Sequence, residues 1–346
     1  MNEQWQSFIS KYPSNSINSD YLDNACIFDL SAKNALLEFT GEDAKTYLQG
    51  QLTNDINDIS NEHSQLSGYC NPKGRLLALF HIFSINDKIY LQFPVELLPK
   101  ILKRMRMFVM MSKVTIKDVS EELINVGLAG NNISEILKQQ FDSLTDVNNS
   151  VLTKNGITLI TISGINSDKT PRYQCLGSSD ALISFCTELF SKDVFLQDND
   201  GWTQLDIQSG LPRVVPNTVE TFVPQMLNLH RLNGINFKKG CYTGQEIVAR
   251  MHYLGKLKRL MYQLKFNTDK LPKPGDSLYS PESTSGQGAG KIVLASISTN
   301  TLSSEKEVIA LAVLEISTVE KDAIFIDEAC TIKATIVDLP YSLDES

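Results

Sequence analysis

The 346-residue sequence predicts an α+β protein that finishes in an all-β domain, and three observations predict it. Between 65 and 93, β-branched and aromatic runs are joined by turn chemistry and not by helices, which excludes a βαβ unit there. Amphipathic helical stretches then alternate with further strand-like runs. Beyond residue 255 the composition changes, and loops rich in Pro, Gly and Ser separate β-type segments. A chain of this length is expected to hold two or three domains, with a boundary at 254/255.

The elements follow in order. Residues 36–39 form a strand-like run leading into TGEDAKTYLQGQLTNDI. Thr40 and Asp43 stand in capping-box spacing with an acid in place of the usual Glu; Ala44, Tyr47 and Leu48 share one helical face, and Gly50 ends it. QLSGYC, LLALFHIFSI and KIYLQF follow, separated by NPKG (71–74) and by Asn86 and Asp87, which reads as a meander. Over 95–111 a helix gathers Leu98, Ile101, Leu102, Met105 and Val109 on one side and Lys100, Lys103 and Arg104 on a solvated opposite side. Strands VTIKDV, LINVGLAG and ITLITIS alternate with helices at 133–140 and 179–190, and a short helix at 202–209 is closed by Gly210 and Pro212. In the last domain LMYQLKF, KIVLASIS, EVIALAVLEI and TIKATIV flank the loop LPKPGDSLYSPESTSGQGAG.

Composition narrows the function classes. The chain is 42% hydrophobic and 21% charged, ordinary for a globular protein. MNEQWQSFISKYPSNS lacks a basic n-region and an apolar h-region, and the longest apolar run, LLALFHIFSI, is interrupted by His81; a cytoplasmic protein with no membrane partner is expected. Cysteines at 26, 70, 175, 186, 241 and 330 show no CxxC, and the four histidines form no HxxxH, so no metal site is predicted. The net charge of −8 opposes non-specific nucleic-acid binding by the whole surface, yet 238–259 carries six basic residues against Glu246 alone. That stretch predicts an anionic ligand or partner at one place.

Within it lies KKGCYTGQE (238–246). Thr243 and Glu246 stand in T-x-x-E spacing, which predicts a helix N-terminus at Thr243. Cys241 falls just ahead of it, beside Lys238 and Lys239, and both a helix start and cations favour thiolate. The alternative is a basic turn whose cysteine only packs.

The longer pattern carries a resemblance. WTQLDIQSGLP (202–212), FVPQMLNL (222–229) and NGINFKKGCYTGQEIVAR (233–250), together with YLQGQLTND (47–55), NPKGR (71–75) and LPYSLDE (339–345), resemble the YgfZ family of folate-binding, tRNA-modification and iron–sulfur maintenance proteins over nearly the whole chain. The signature rests on Lys238, Lys239, Gly240, Cys241, Tyr242, Gly244, Gln245 and Glu246, continued to Arg250. The family is similar in fold to the aminomethyltransferase T-protein of the glycine cleavage system. The resemblance implies a ring of α+β domains with a C-terminal β-barrel: a folate-binding region over 1–254, built as two interleaved subdomains, and the barrel over 255–346.

It also implies a reduced folate, tetrahydrofolate, as ligand, with iron–sulfur or tRNA-modifying enzymes as clients and Cys241 as the functional thiol. Trp202 matches a tryptophan of the family's folate site. Asn34 stands where bacterial relatives can carry a second tryptophan, and Gln208 stands where they usually carry glutamate. The T-protein's catalytic aspartate follows its Gly-rich turn, whereas Leu76, Leu77, Ala78, Leu79 and Phe80 follow NPKGR here, without a carboxylate for general acid–base work. A folate-dependent accessory factor is therefore expected, with a one-carbon transferase and a non-catalytic RNA-binding module (Phe237, Tyr242, Tyr253) as the alternatives.

Overall fold

In the first of three sheets the meander pairs as its turns dictate. The computed structural model describes residues 2–14, 22–162, 170–255, 257–283, 288–298 and 306–343; Lys256, part of the Gly/Ser-rich loop and the end of LPYSLDE lie outside them. The first sheet runs Gln65–Cys70, Leu76–Ile85, Lys88–Pro94, Asn34–Thr40, Thr115–Asp118, antiparallel throughout. Asn86 and Asp87 take φ of 50° and 63°, the left-handed pair that a tight two-residue hairpin needs. Helix Leu98–Val109 follows and buries Ile101 and Met105 against this sheet's core.

Thr40 does not cap a helix. It is the last residue of its strand, paired with Thr115, and the helix is Ala44–Gln49 behind Asp43. Asp43 makes no cap bond; its carboxylate instead accepts the Lys113 N–H at 2.8 Å. Sheet pairing outcompeted the local cap.

The second sheet runs Phe195–Gln197, Cys26–Asp29, Ile124–Ala129, Arg172–Gly177, Ile157–Thr161, Val151–Lys154, with only the first pair parallel. The chain thus leaves this sheet after Asp29, builds the first sheet and returns at Ile124. One face packs on Glu3–Ile9, Ile133–Lys138 and Ser179–Phe190, where Trp5 is fully buried and donates from Nε1 to Asp29 at 3.1 Å. The other face receives helix Asn199–Gln208 through Trp202 and Leu205, which pack on Phe28 and Ala129. Gly127 makes this approach possible, since a Cβ there would run into the Trp202 ring.

The third sheet runs Ser277–Leu278, Gly290–Ile297, Glu307–Glu315, Arg259–Asn267, Thr335–Val337. Both faces of Glu307–Glu315 are buried, as alternation requires. Ile309, Leu311 and Val313 join the main core, while Val308, Ala310, Ala312 and Leu314 fill the barrel interior. Isolated bridges Tyr279–Phe325 and Phe325–Lys333 lead from one edge toward the other. Ile207, fully buried in the main core, brings the helix Asn199–Gln208 into contact with this sheet too, a burial worth about 1.5–3 kcal/mol. Among the described residues no helix is long and apolar enough to cross a membrane.

Two turns that are far apart in sequence cross at glycines. Gly244 has φ 84° and caps helix Gln245–Tyr253, which therefore starts one residue later than the Thr243 cap predicted. Thr243 instead donates its N–H to Gly50 O at 3.3 Å, and Glu246 lies in the first turn, where its charge suits the positive end of the helix. A Cβ on Gly244 would collide with Asn71 O and lie 3.0 Å from Gly74 Cα, while one on Gly74 would meet Ile247 Cβ at 2.9 Å. The NPKGR turn and the cysteine motif are thus locked together. Gly244→Ala is expected to lower stability by about 2 kcal/mol or more, strain and clash combined, as a fall in the urea midpoint.

Candidate functional site

Helical spacing places Trp202 and Asp206 on one face, four residues apart, and that face closes a cavity of about 160 Å³. The first sheet contributes Asn34, Leu79, His81, Gln92 and Phe93 to its wall, the second Arg172 and Gln174, and the loops Arg213, Arg231 and Asn233. The space is well above the roughly 10–15 Å³ that a single water needs, and it holds several waters or a flat heterocycle.

Its electrostatics centre on Arg172, only 1% exposed. Nη2 donates to Asp206 Oδ1 at 2.6 Å and Nη1 to Ser209 Oγ at 3.1 Å, while the guanidinium lies over the Trp202 ring, 4.4 Å from its centroid. Arg213 donates from Nε to Asp206 Oδ2 at 3.2 Å. A buried guanidinium is tolerable because the carboxylate is shared at this range and the ring adds a cation–π contact. Gln174 Nε2 donates to Gln92 Oε1 at 2.7 Å and to Asn125 Oδ1 at 2.8 Å, which ties the two sheets together. His81 also lines the cavity, and burial lowers its pKa to about 4, so it is neutral at pH 7. Asn34 is buried, and its Nδ2 has no hydrogen-bond partner among the described residues: an open donor on the wall.

Of the residues expected at a folate site, Trp202 and Asn34 line the cavity and Gln208 does not. Gln208 is six positions from Trp202, so it projects from another side of the helix, and Asp206 is the carboxylate that reaches the cavity. Sequence reasoning missed Arg172, Gln174, Asp206 and Arg213. The alternation of polar Arg172 and Gln174 with Tyr173 and Cys175 was the readable signal, on a strand with both faces buried. Of Leu76 to Phe80, only Leu79 touches the cavity.

The cysteine motif lies elsewhere, and none of residues 238–250 lines the cavity. Lys239 is buried. Its ammonium donates to Gln49 O at 2.8 Å, Leu52 O at 2.7 Å and Asn54 O at 2.9 Å, and it sits 5.2 Å from the Tyr242 ring centroid. Its three donors thus satisfy carbonyls left over at the end of helix Ala44–Gln49 and in the turn beyond. The expectation that both lysines poise the Cys241 thiol is corrected for Lys239, whose charge is committed to this cage; Lys238 is exposed.

Cys241 is an exposed free thiol. Burial pushes Cys26 and Cys70 up to about 12, and Cys175 and Cys186 are also raised. Gly240 has nothing within 4 Å of where a Cβ would sit, so the backbone beside Cys241 is open. Tyr242 is buried, Gln245 donates to Gly240 O at 3.5 Å, and Glu246 and Arg250 are exposed.

Comparison with known proteins settles the family. No family model matches the chain. It is 34% identical over 257 residues to the tRNA-modifying protein YgfZ of Colwellia psychrerythraea, covering 74% of this chain and 77% of that one. It is 30% identical over 311 residues to the protein of the same name from Pectobacterium carotovorum subsp. carotovorum, covering 90% of each. The chain belongs to the YgfZ family. Its fold is that of the glycine cleavage system aminomethyltransferase T from Bartonella henselae, with a TM-score of 0.71 at 12% identity over 97% of this chain and 89% of that one.

In this YgfZ-family chain the caged lysine makes a pH-dependent prediction. Burial lowers Lys239 to about 8 from 10.5, so between these values the unfolded chain holds a proton that the folded chain has released. Stability relative to Lys239→Met is expected to rise from pH 8 to 10. Near pH 7 the variant should already be less stable by about 3 kcal/mol, because three carbonyls lose their donor. Urea unfolding of both proteins across this range measures it.

Proposed function

We propose that the chain binds a reduced folate in the cavity and uses Cys241, on a separate surface, in an accessory role supporting iron–sulfur enzymes and through them tRNA modification. The observation that carries this reading is the wall of the cavity: an aromatic ring and a guanidinium as a stacked pair, with an unpartnered amide donor, Asn34 Nδ2, beside them. A pterin is a flat heterocycle whose edge carries a carbonyl acceptor beside amino-pyrimidine donors, and a folate tail is anionic. Trp202 with Arg172 would pack on the heterocycle, Asn34 would donate to its edge, and Arg213 and Arg231 would hold the tail. When bound, a reduced folate supplies one-carbon carriage. The tRNA-modifying names of relatives at 30–34% identity support the client side of the reading.

The accessory reading is preferred over aminomethyl transfer. Asp206 is the only carboxylate among the described residues that line the cavity, and both its oxygens accept from guanidinium groups. It is held in place as a counter-ion, poorly suited to moving protons.

Tetrahydrofolate is expected to quench Trp202 emission, because the other tryptophan, Trp5, is packed in a separate core. Trp202→Phe, preferred over Ala because a core hole would cost about 3–5 kcal/mol, should weaken binding by about 1 kcal/mol in calorimetric titration. Unchanged affinity removes the ring from the site.

Cys241→Ala is expected to change stability by less than about 0.5 kcal/mol, since the side chain is exposed, and to leave folate affinity intact. A strain relying on it should lose tRNA thiolation. Full thiolation in that strain would make the thiol dispensable.

A further inference from the structure

The two ends of the cysteine motif are joined by rings at the surface. Phe237 stacks on His252 with centroids 3.7 Å apart and planes 10° from parallel. Tyr253 meets them edge-on, 4.7 Å from His252 and 6.2 Å from Phe237. His252 is exposed, Tyr253 is 64% exposed and Leu254 85%, while Phe237 is half-buried against the main core and seats the other two rings at its edge. Around it stand Lys238 and Arg250, both exposed, with Lys73 brought to the same motif by the Gly74–Gly244 crossing. Among the described residues none of these three cations makes a salt bridge, although the chain as a whole is acidic. Gly240 leaves open backbone beside Cys241 between the two ends.

Solvent-facing rings flanked by unneutralised cations have one well-matched occupant. Bases stack on rings whatever their sequence, and phosphates pair with the cations. An apolar protein partner would leave the three charges unanswered, and a bare polyanion would leave the rings unused. We propose that His252 and Tyr253, seated on Phe237, with Lys238 and Arg250, bind unpaired nucleotides of an RNA strand and bring them to the side of the molecule that carries Cys241. The inference rests on the tRNA part of the proposed function and gives it a direct contact.

Fluorescence anisotropy of the full chain tests it with three probes: an unmodified anticodon stem-loop RNA, a fully paired RNA duplex of equal charge, and heparin as a competitor without bases. The stem-loop should bind at least tenfold tighter than the duplex. His252→Ala with Tyr253→Ala should weaken stem-loop binding by about tenfold or more, the loss of one stacked base, while leaving duplex binding and the salt slope unchanged. Lys238→Ala with Arg250→Ala should weaken both RNAs alike and reduce the salt slope by about one to two.

The proposal is overturned if the wild-type chain does not bind the stem-loop, if the ring variant binds it equally well, or if stem-loop and duplex bind alike and heparin displaces both equally. It is also overturned if the ring variant keeps its RNA affinity but its strain loses tRNA thiolation, which would assign the rings to a protein partner. Absence of RNA binding in a chain whose Cys241 still supports thiolation removes only this contact. RNA binding through the rings without any effect of Cys241 on thiolation removes only the broader reading.

Discussion

The Arg172–Asp206 pair is the constraint on which the cavity depends. A guanidinium with 1% exposure cannot stay charged without a counter-ion, and Asp206 Oδ1 supplies it at 2.6 Å. Arg172 belongs to the second sheet, whereas Asp206, Ser209 and Trp202 belong to the helix Asn199–Gln208 and its end. One side chain therefore fixes the height and rotation of the helix on the sheet. Ile207, on another side of the same helix, reaches the core shared by the first and third sheets. The helix is positioned from both sides, and the cavity occupies the gap that remains between the first and second sheets.

A second polar lock organises the cysteine motif. The Lys239 ammonium holds three carbonyls of the 49–54 segment, and Gly244 lies against Asn71 and Gly74. Two segments that resemble family motifs, YLQGQLTND and NPKGR, thus serve as the seat of the third, KKGCYTGQE. Within that signature the residues divide by physics. Lys239, Tyr242 and Gly244 build the turn, and Lys238, Gly240, Cys241 and Arg250 are left open to solvent. The thiol is thus on the solvent-facing side of the turn and is not among the residues that line the cavity.

Much of the fold was legible in the chain. Turn residues between β-rich runs specified the meander of the first sheet, and a 3.6-residue period specified the helix expected over 95–111, which runs Leu98–Val109. Two cap predictions were wrong for one reason. Thr40 and Thr243 have the right spacing, but one is held in a strand by Thr115 and the other precedes a glycine whose left-handed φ starts the helix itself. Strands Cys26–Asp29 and Arg172–Gly177 were missed because they are short or carry polar residues on a buried face.

The site divides in the same way. Composition, turn chemistry and period by themselves determined the α+β class, the all-β end and Cys241 as the distinctive thiol, because these depend on local chemistry and spacing; Trp202 as the aromatic came from the family resemblance. Only the tertiary structure decided that Asp206 and not Gln208 meets the cavity, that Arg172 is its partner 34 residues away, and that Lys239 is turned from the thiol into a carbonyl cage. Those outcomes depend on which buried charges and backbone carbonyls come within bonding distance once the sheets pack. No local pattern encodes that distance.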